Sequence, residues 1–187
     1  CDFGTKGADT THYSILDRDG NRVAATLSIN TPFGSGLVPS GTGVLLNNEM
    51  DDFSSSPGAP NAYGLTGGEA NAIAPGKRML SSMTPTIITK DGKLFMVTGS
   101  PGGRTIINTV LQTILNVVDH GMNAQEAVDA GRIHHQWLPD RMRYEKNGFS
   151  PDTLAILKQF GHELQEIDGQ GAANVIVVSP EDGMLEA

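Results

Sequence analysis

An Asp-Gly pair at 19–20 separates two stretches of alternating residues, and it constrains the fold more than any other dipeptide in the chain. Asp-Gly tolerates the positive φ angles of a tight hairpin turn whose twist matches that of the flanking strands. Before it runs Tyr13-Ser14-Ile15-Leu16-Asp17; after it runs Arg22 to Asn30. In the second run Val23, Ala25, Leu27 and Ile29 share one face, while Ala24, Thr26 and Ser28 share the other. A face of small and hydroxylic side chains suits a strand lying beside a site. The first strand opens on Thr10-Thr11. These are either ordinary strand threonines or something more specific. If the chain is cut just before such a residue, its freed α-amino group, with an ordinary pKa of about 7.7–8.0, can take the proton from its own hydroxyl. Nucleophile and base then reside in one residue.

The remaining chain predicts one domain of mixed strands and helices, preceded by a lead-in over residues 1–9 that has no periodicity. Cys1 is a second residue able to use its own amine, but no strand pattern begins there to hold the thiol. Val44-Leu45-Leu46 is expected to form a short buried strand. It leads into Asn47-Asn48-Glu49-Met50-Asp51-Asp52-Phe53, where two amides and three carboxylates fall in six residues. Such a cluster is either a solvated turn or a pocket wall for an ammonium group. Its spacing matches no calcium loop.

Residues 54–78 form a long Ser-, Pro-, Gly- and Ala-rich loop with Tyr63 at its middle. Ser81-Ser82 then precedes a second hairpin, Thr86-Ile87-Ile88 and Leu94-Phe95-Met96-Val97, turning at Asp91-Gly92. The paired serines are either turn residues or donors to a carboxylate. Gly99-Ser100-Pro101-Gly102-Gly103 joins that hairpin to the most regular helix, on which Ile106, Ile107, Val110, Leu111, Ile114 and Val117 recur at helical spacing up to Gly121. The glycines make either a tight turn or a nest of backbone N–H groups able to hold an oxyanion. The junction is neither a Walker loop nor a dinucleotide fingerprint nor a nucleophile elbow. A short helix at 124–130, adjacent histidines His134-His135 suited to packing rather than metal binding, and a strand at 141–145 follow. A Ser150-capped helix ending at Phe160 and strands at 162–167 and 174–179 complete the pattern.

Thirteen basic against twenty-one acidic residues give a net charge of −8, which does not favour nucleic acid or an anionic membrane surface. No apolar run approaches the roughly 18 residues of a membrane span, and no signal-peptide pattern opens the chain. The lone cysteine excludes an internal disulfide. The absence of an initiating Met predicts a processed product or a piece of a longer chain.

Six strings in fixed order resemble the small, catalytic subunit of γ-glutamyltranspeptidases, members of the N-terminal-nucleophile hydrolase superfamily. They are Thr10-Thr11-His12-Tyr13-Ser14, Ile29-Asn30, Leu46-Asn47-Asn48-Glu49-Met50-Asp51-Asp52-Phe53, Leu80-Ser81-Ser82-Met83-Thr84-Pro85-Thr86, Gly99-Ser100-Pro101-Gly102-Gly103 and His134-His135-Gln136-Trp137-Leu138-Pro139. The resemblance spans the chain from Thr10 onward. It implies an α+β, four-layer αββα sandwich, completed by a large subunit outside this chain, with residues 10–187 as the catalytic region. It also implies a precursor that cuts itself before Thr10 and then transfers or hydrolyses γ-glutamyl groups, as of glutathione, through a γ-glutamyl-threonine ester. Water or an amino-acid or dipeptide acceptor would release the ester.

Residue by residue, the resemblance gives Thr10 as nucleophile and Ser28, where relatives often carry threonine, as its hydroxyl partner. Gly102 and Gly103 would form the oxyanion hole. Asn30, Glu49 and Asp52 would hold the substrate's α-amino end, Ser81 and Ser82 its α-carboxylate, and Tyr63 would sit on a covering loop. Neither metal nor other cofactor is implied, and the location would be periplasmic or extracellular. Met79 stands where relatives often have proline, and the family's C-terminal tail is missing. Nine residues precede Thr10, so its nitrogen is an amide until the Asp9–Thr10 bond is cut. The competing expectations are a related acylase or poly-γ-glutamate transpeptidase, and an uncleaved fragment without turnover.

Overall fold

A computed structural model describes residues 10–61, 64–179 and 181–187. The Asp-Gly signal produces the expected hairpin, β1 (Thr10–Leu16) and β2 (Arg22–Ser28), in antiparallel register from Thr10 opposite Ser28 to Leu16 opposite Arg22. Asp17 closes the turn by accepting the N–H groups of Asp19 and Asn21 on one carboxylate oxygen, while Gly20 takes φ 82°.

The second hairpin, β3 (Thr86–Lys90) and β4 (Lys93–Gly99), turns at Asp91 and Gly92, both at positive φ as such a turn requires. It lies in a sheet of order β3-β4-β8-β9, where β8 is Asn174–Val178 and β9 is Leu185–Glu186. Strand β4 is buried on both faces, with Met96 and Val97 wholly removed from solvent. Full burial of each such side chain favours the fold by roughly 1.5–3 kcal/mol. Met96 joins Val175, Val177, Ala124, Ala127 and Val117 in the core. The last three come from α2 (Ala124–Asp129) and α1 (Ile106–Val118), which cover one face of this sheet. The β1–β2 hairpin packs against β4 and β8.

Three layers therefore stack as hairpin, sheet and helices, an α+β architecture. A smaller sheet, β5 (Ile133–His134), β6 (Met142–Glu145) and β7 (Leu164–Ile167), adjoins them. Its parallel β6–β7 pair is joined through α3 (Pro151–Gln159). Ser150 caps α3 by accepting the Thr153 N–H, as its position before Pro151 predicts.

The expected strand at 44–46 does not form. The Leu46 N–H donates to the Leu37 carbonyl, and the Leu46 carbonyl accepts the Ser35 N–H. The segment thus closes a local loop. Glycines 34, 36, 41 and 43 all adopt positive φ around it, and Val44 and Leu46 remain exposed rather than buried. Three apolar residues are too few to outweigh that turn chemistry.

The two apolar sides of α1 part company. Ile106, Val110 and Val117 are buried, whereas Ile107, Leu111, Leu115 and Val118 form an exposed stripe. The hairpin does the same in reverse. His12 and the small residues of β1 and β2 face inward, leaving Tyr13, Ile15, Val23 and Leu27 exposed on the outer face.

Candidate active site

Thr10 heads β1 directly opposite Ser28, the last residue of β2. Their hydroxyl oxygens are 3.0 Å apart. The Ser28 hydroxyl also accepts the Asn30 N–H at 2.9 Å, which ties the nucleophile candidate to the residue two positions beyond the strand. Asn30 is buried and takes φ 75°, a left-handed conformation that asparagine tolerates better than most residues. Its side-chain amide donates to the Asn48 carbonyl, drawing the acidic turn toward the hairpin.

That turn is a 3₁₀ helix, Glu49–Asp52, carrying three carboxylates in a single turn. Burial, the charges of Glu49 and Asp51, and a hydrogen bond with Glu49 together raise the Asp52 carboxyl to about 6. One buried oxygen of Glu49, Oε1, has no hydrogen-bond partner among the described residues. A buried carboxylate oxygen left unpaired is costly and favours a donor brought by a ligand. Glu49 and Asp52 are both partly buried and both line a cleft.

Gly102 and Gly103 follow β4 with φ of 141° and 54°, a path that side chains rarely permit. The Gly102 carbonyl accepts both the N–H and the hydroxyl of Thr105, fixing the turn into α1. The Ser82 hydroxyl donates to the Gly103 carbonyl at 3.1 Å, so the serine pair is fastened to the glycine junction. The Ser81 hydroxyl accepts the Met83 N–H.

One cleft brings together Thr10, Ser28, Asn30, Glu49, Asp52, Ser81, Ser82 and Gly103, with Gly102 one residue back from its lining. These residues come from five separate stretches of the sequence. Tyr63 lies outside the described residues; Leu65, two positions on, lines the cleft. A larger cavity of about 330 Å³ opens between β1, α2 and β8 beside His12, Val128 and Asn174, and it holds none of these residues.

Arg104 also lines the cleft and was not singled out from the sequence. Burial lowers the pKa of its guanidinium from the ordinary arginine value. The signal available was a cation immediately after the glycine pair, where it would neighbour whatever anion the glycines hold. The two adjacent histidines diverge: His134 bonds Gln136, and His135 pairs with Asp140 at 2.9 Å. Among the described residues no group of three or more His, Cys, Asp or Glu side chains could hold a metal ion.

A hydroxyl on a strand end, a nearby hydroxyl partner, a carboxylate pair and a serine pair suit attack on the acyl carbon of a substrate with a free amino-acid end. Comparison with known proteins agrees in pattern. The family profile described as Gamma-glutamyltranspeptidase matches residues 4–187. The glutathione hydrolase proenzyme of Escherichia coli is 57% identical over 176 residues, covering 94% of this chain and 30% of the relative. The chain thus spans about 30% of the length of that curated relative. Crystal structures of gamma-glutamyltranspeptidase from Helicobacter pylori and Pseudomonas nitroreducens superpose with TM-scores of 0.89 and 0.86, at 52% and 46% identity. Each covers 94% of this chain, which in turn covers 95% and 92% of theirs. With the profile matched from residue 4 to residue 187, this chain belongs to the gamma-glutamyltranspeptidase family.

Proposed function

We propose that this chain is the nucleophile-bearing part of a self-cleaving enzyme that transfers and hydrolyses γ-glutamyl groups, glutathione among its donors. The observation that carries this is the single cleft joining Thr10 and Ser28 to a carboxylate wall and a serine pair. In the first stage the Thr10 hydroxyl adds to the Asp9 carbonyl carbon, the C–N bond breaks, and an ester forms. Water hydrolyses that ester and leaves Thr10 with a free amine.

In the second stage the amine takes the proton from the Thr10 hydroxyl as the oxygen attacks the γ-carbonyl of a donor. The Gly102 and Gly103 N–H groups stabilise the oxyanion, and Ser28 orients the attacking oxygen. Collapse expels the donor's amine, which receives the proton from the Thr10 ammonium. Water or an acceptor amine then repeats the attack on the ester. Glu49, Asp52 and Asn30 hold the α-ammonium of the γ-glutamyl group, and Ser81 and Ser82 hold its α-carboxylate.

A large subunit from the same precursor completes the molecule and supplies the outer layer of the αββα sandwich. The exposed faces of α1 (Ile107, Leu111, Leu115, Val118) and of the hairpin (Tyr13, Ile15, Val23, Leu27) support this, because apolar helix and strand faces of that extent are ordinarily covered. No helix among the described residues is long and apolar enough to cross a membrane. The location follows the family resemblance, periplasmic or extracellular.

The test is expression with the upstream half, followed by intact mass and N-terminal sequencing. A new chain beginning at Thr10, with release of aniline from a γ-glutamyl anilide, is the expected result. Thr10→Ala should lose both self-cleavage and turnover, and retained turnover in that variant would overturn the assignment.

A further inference from the structure

Against the glycine junction, and outside the lining of the cleft, lies the segment Gln170-Gly171-Ala172. Gly171 takes φ 68°. A Cβ added there would fall 2.7 Å from the Ser100 hydroxyl, 2.9 Å from the Thr109 hydroxyl and 3.0 Å from the Pro101 carbonyl oxygen. From the other direction, a Cβ on Gly102 would fall 3.1 Å from the Gly171 Cα. The two backbones are therefore in contact with no side chain between them. The Ala172 N–H donates to the Ser100 hydroxyl at 3.0 Å, and that hydroxyl donates to the Pro101 carbonyl at 2.6 Å.

The segment is itself held rigidly. The Gln170 N–H donates to Glu145 Oε1 at 2.7 Å, and the Gln170 side chain donates to the Ile133 carbonyl at 3.0 Å. Glu145 in turn holds Arg132 through the Arg132 backbone N–H, Nε and Nη2, and both side chains are nearly buried. A buried ion pair on the small sheet thus fixes Gln170, and Gly171 and Ala172 brace the loop 100–102.

We propose that Gly171 is a positioning residue for the oxyanion loop, with the Ala172–Ser100 hydrogen bond as its second point of contact. It touches neither substrate nor nucleophile. It sets how closely the backbone at Gly102 can withdraw from the cleft, and so where the oxyanion-binding N–H groups stand. The inference rests on the oxyanion role proposed above for Gly102 and Gly103. A displacement on the order of 1 Å at a reacting group can cost about 10²-fold in rate, whereas a substrate's α-ammonium, held by Glu49 and Asp52 on the separate turn 49–52, would register it far less.

The experiment compares the self-processed, full-length protein with its Gly171→Ala and Ser100→Ala variants. Three quantities are measured: kcat/KM for a γ-glutamyl anilide, the inhibition constant of glutamate, and that of a glutamate analogue with boronic acid in place of the γ-carboxylate. The boronate accepts the Thr10 oxygen's electron pair into boron's empty orbital, the hydroxyl proton passes to the Thr10 amine, and the anionic tetrahedral adduct places one of its two B–OH oxygens in the oxyanion hole. The expected result is a roughly 10- to 100-fold loss in kcat/KM, an equal loss in boronate affinity, and glutamate affinity within about twofold of the parent. Unchanged kcat/KM in both variants would overturn the proposal, as would parallel losses of glutamate and boronate affinity. If Gly171→Ala fails to mature, Ser100→Ala decides by the same comparison. Failure of both to mature would mark a folding role and also overturn it. A parent enzyme that binds the boronate no better than glutamate would instead count against the oxyanion role itself.

Discussion

The hydroxyl oxygens of Thr10 and Ser28 lie 3.0 Å apart on residues directly paired across the first hairpin. Register alone therefore places a second hydroxyl beside that of Thr10, and the same Ser28 oxygen anchors the Asn30 N–H. Ser28→Ala removes both bonds. A loss of about tenfold or more in kcat is expected, since one hydrogen bond to the reacting group is worth about 1.4 kcal/mol or more. Ser28→Thr, which keeps the hydroxyl, should stay within a few-fold of the parent in the same anilide assay.

The carboxylate pair predicts a pH dependence with two opposite signs. Asp52 is raised to about 6, against about 3.9 for an unfolded aspartate. Between those values the folded state holds a proton that the unfolded state has released. The stabilisation from this carboxyl is fully present below about pH 4 and is lost as pH rises through about 6. In the proposed role the Asp52 carboxylate holds the donor's ammonium, so KM for a γ-glutamyl donor should rise as pH falls through that same range. Asp52→Asn should raise KM at neutral pH, remove its acid limb, and raise the thermal midpoint more at pH 8 than at pH 4. Profiles of KM and of unfolding temperature against pH check both signs.

The Arg132–Glu145 pair is nearly buried and bridges the small sheet to Gln170. Glu145→Ala leaves a buried guanidinium and the Gln170 N–H without their acceptor. A cost of about 3–5 kcal/mol is expected, read as a lowered urea midpoint of the processed protein. A loss below about 1 kcal/mol would show that water replaces the carboxylate at no great cost.

Gly99 accommodates the His12 ring in the space that its side chain would occupy. His12 is also held by Thr26 at 2.8 Å and Ser14 at 3.2 Å, and burial lowers its pKa. Gly99→Ala should therefore destabilise the protein by about 1–3 kcal/mol or more through overpacking. Gly20→Ala offers a contrast. No atom stands in the way of an added Cβ there, so only the positive φ resists and the loss should be near 1 kcal/mol. Thermal unfolding of the two variants side by side separates crowding from backbone strain.

Much of this fold was legible because its signals are local. Asp19-Gly20 and Asp91-Gly92 mark hairpins, Ser150-Pro151 starts a helix, and the spacing from Ile106 to Val117 shows α1. Local patterns also misled: Val44-Leu45-Leu46 has a strand's composition, but the positive-φ glycines around it and its pairing with 35–37 keep it in a loop. Strands β5 and β9, two residues each, are too short to show a period. Glu49, Asp52, Ser81 and Ser82 stood out locally as a cluster of carboxylates and a pair of serines, each with an ordinary turn as its alternative. Asn30, and the joining of all five, came through the resemblance, since no periodicity joins residues so far apart in sequence. The structure brings them to one cleft. Arg104 was missed because it matters through neighbours distant in the chain and does not change the local pattern.

The pairing of Gly99 with His12 has one more consequence. Because the side-chain period of a strand is two, a slip of β1 by one residue would present Tyr13 to Gly99 and turn Thr10 to the opposite face. It would also shift Thr10 along the strand by about 3.3 Å, more than its 3.0 Å separation from the Ser28 hydroxyl. The tyrosine ring is larger than the imidazole that the site now encloses, so the slip in that direction is refused, while the opposite slip would bring Thr11 and leave the space unfilled. The missing side chain at position 99 works as a reading-frame mark for β1, fixing which residue of that strand stands opposite Ser28.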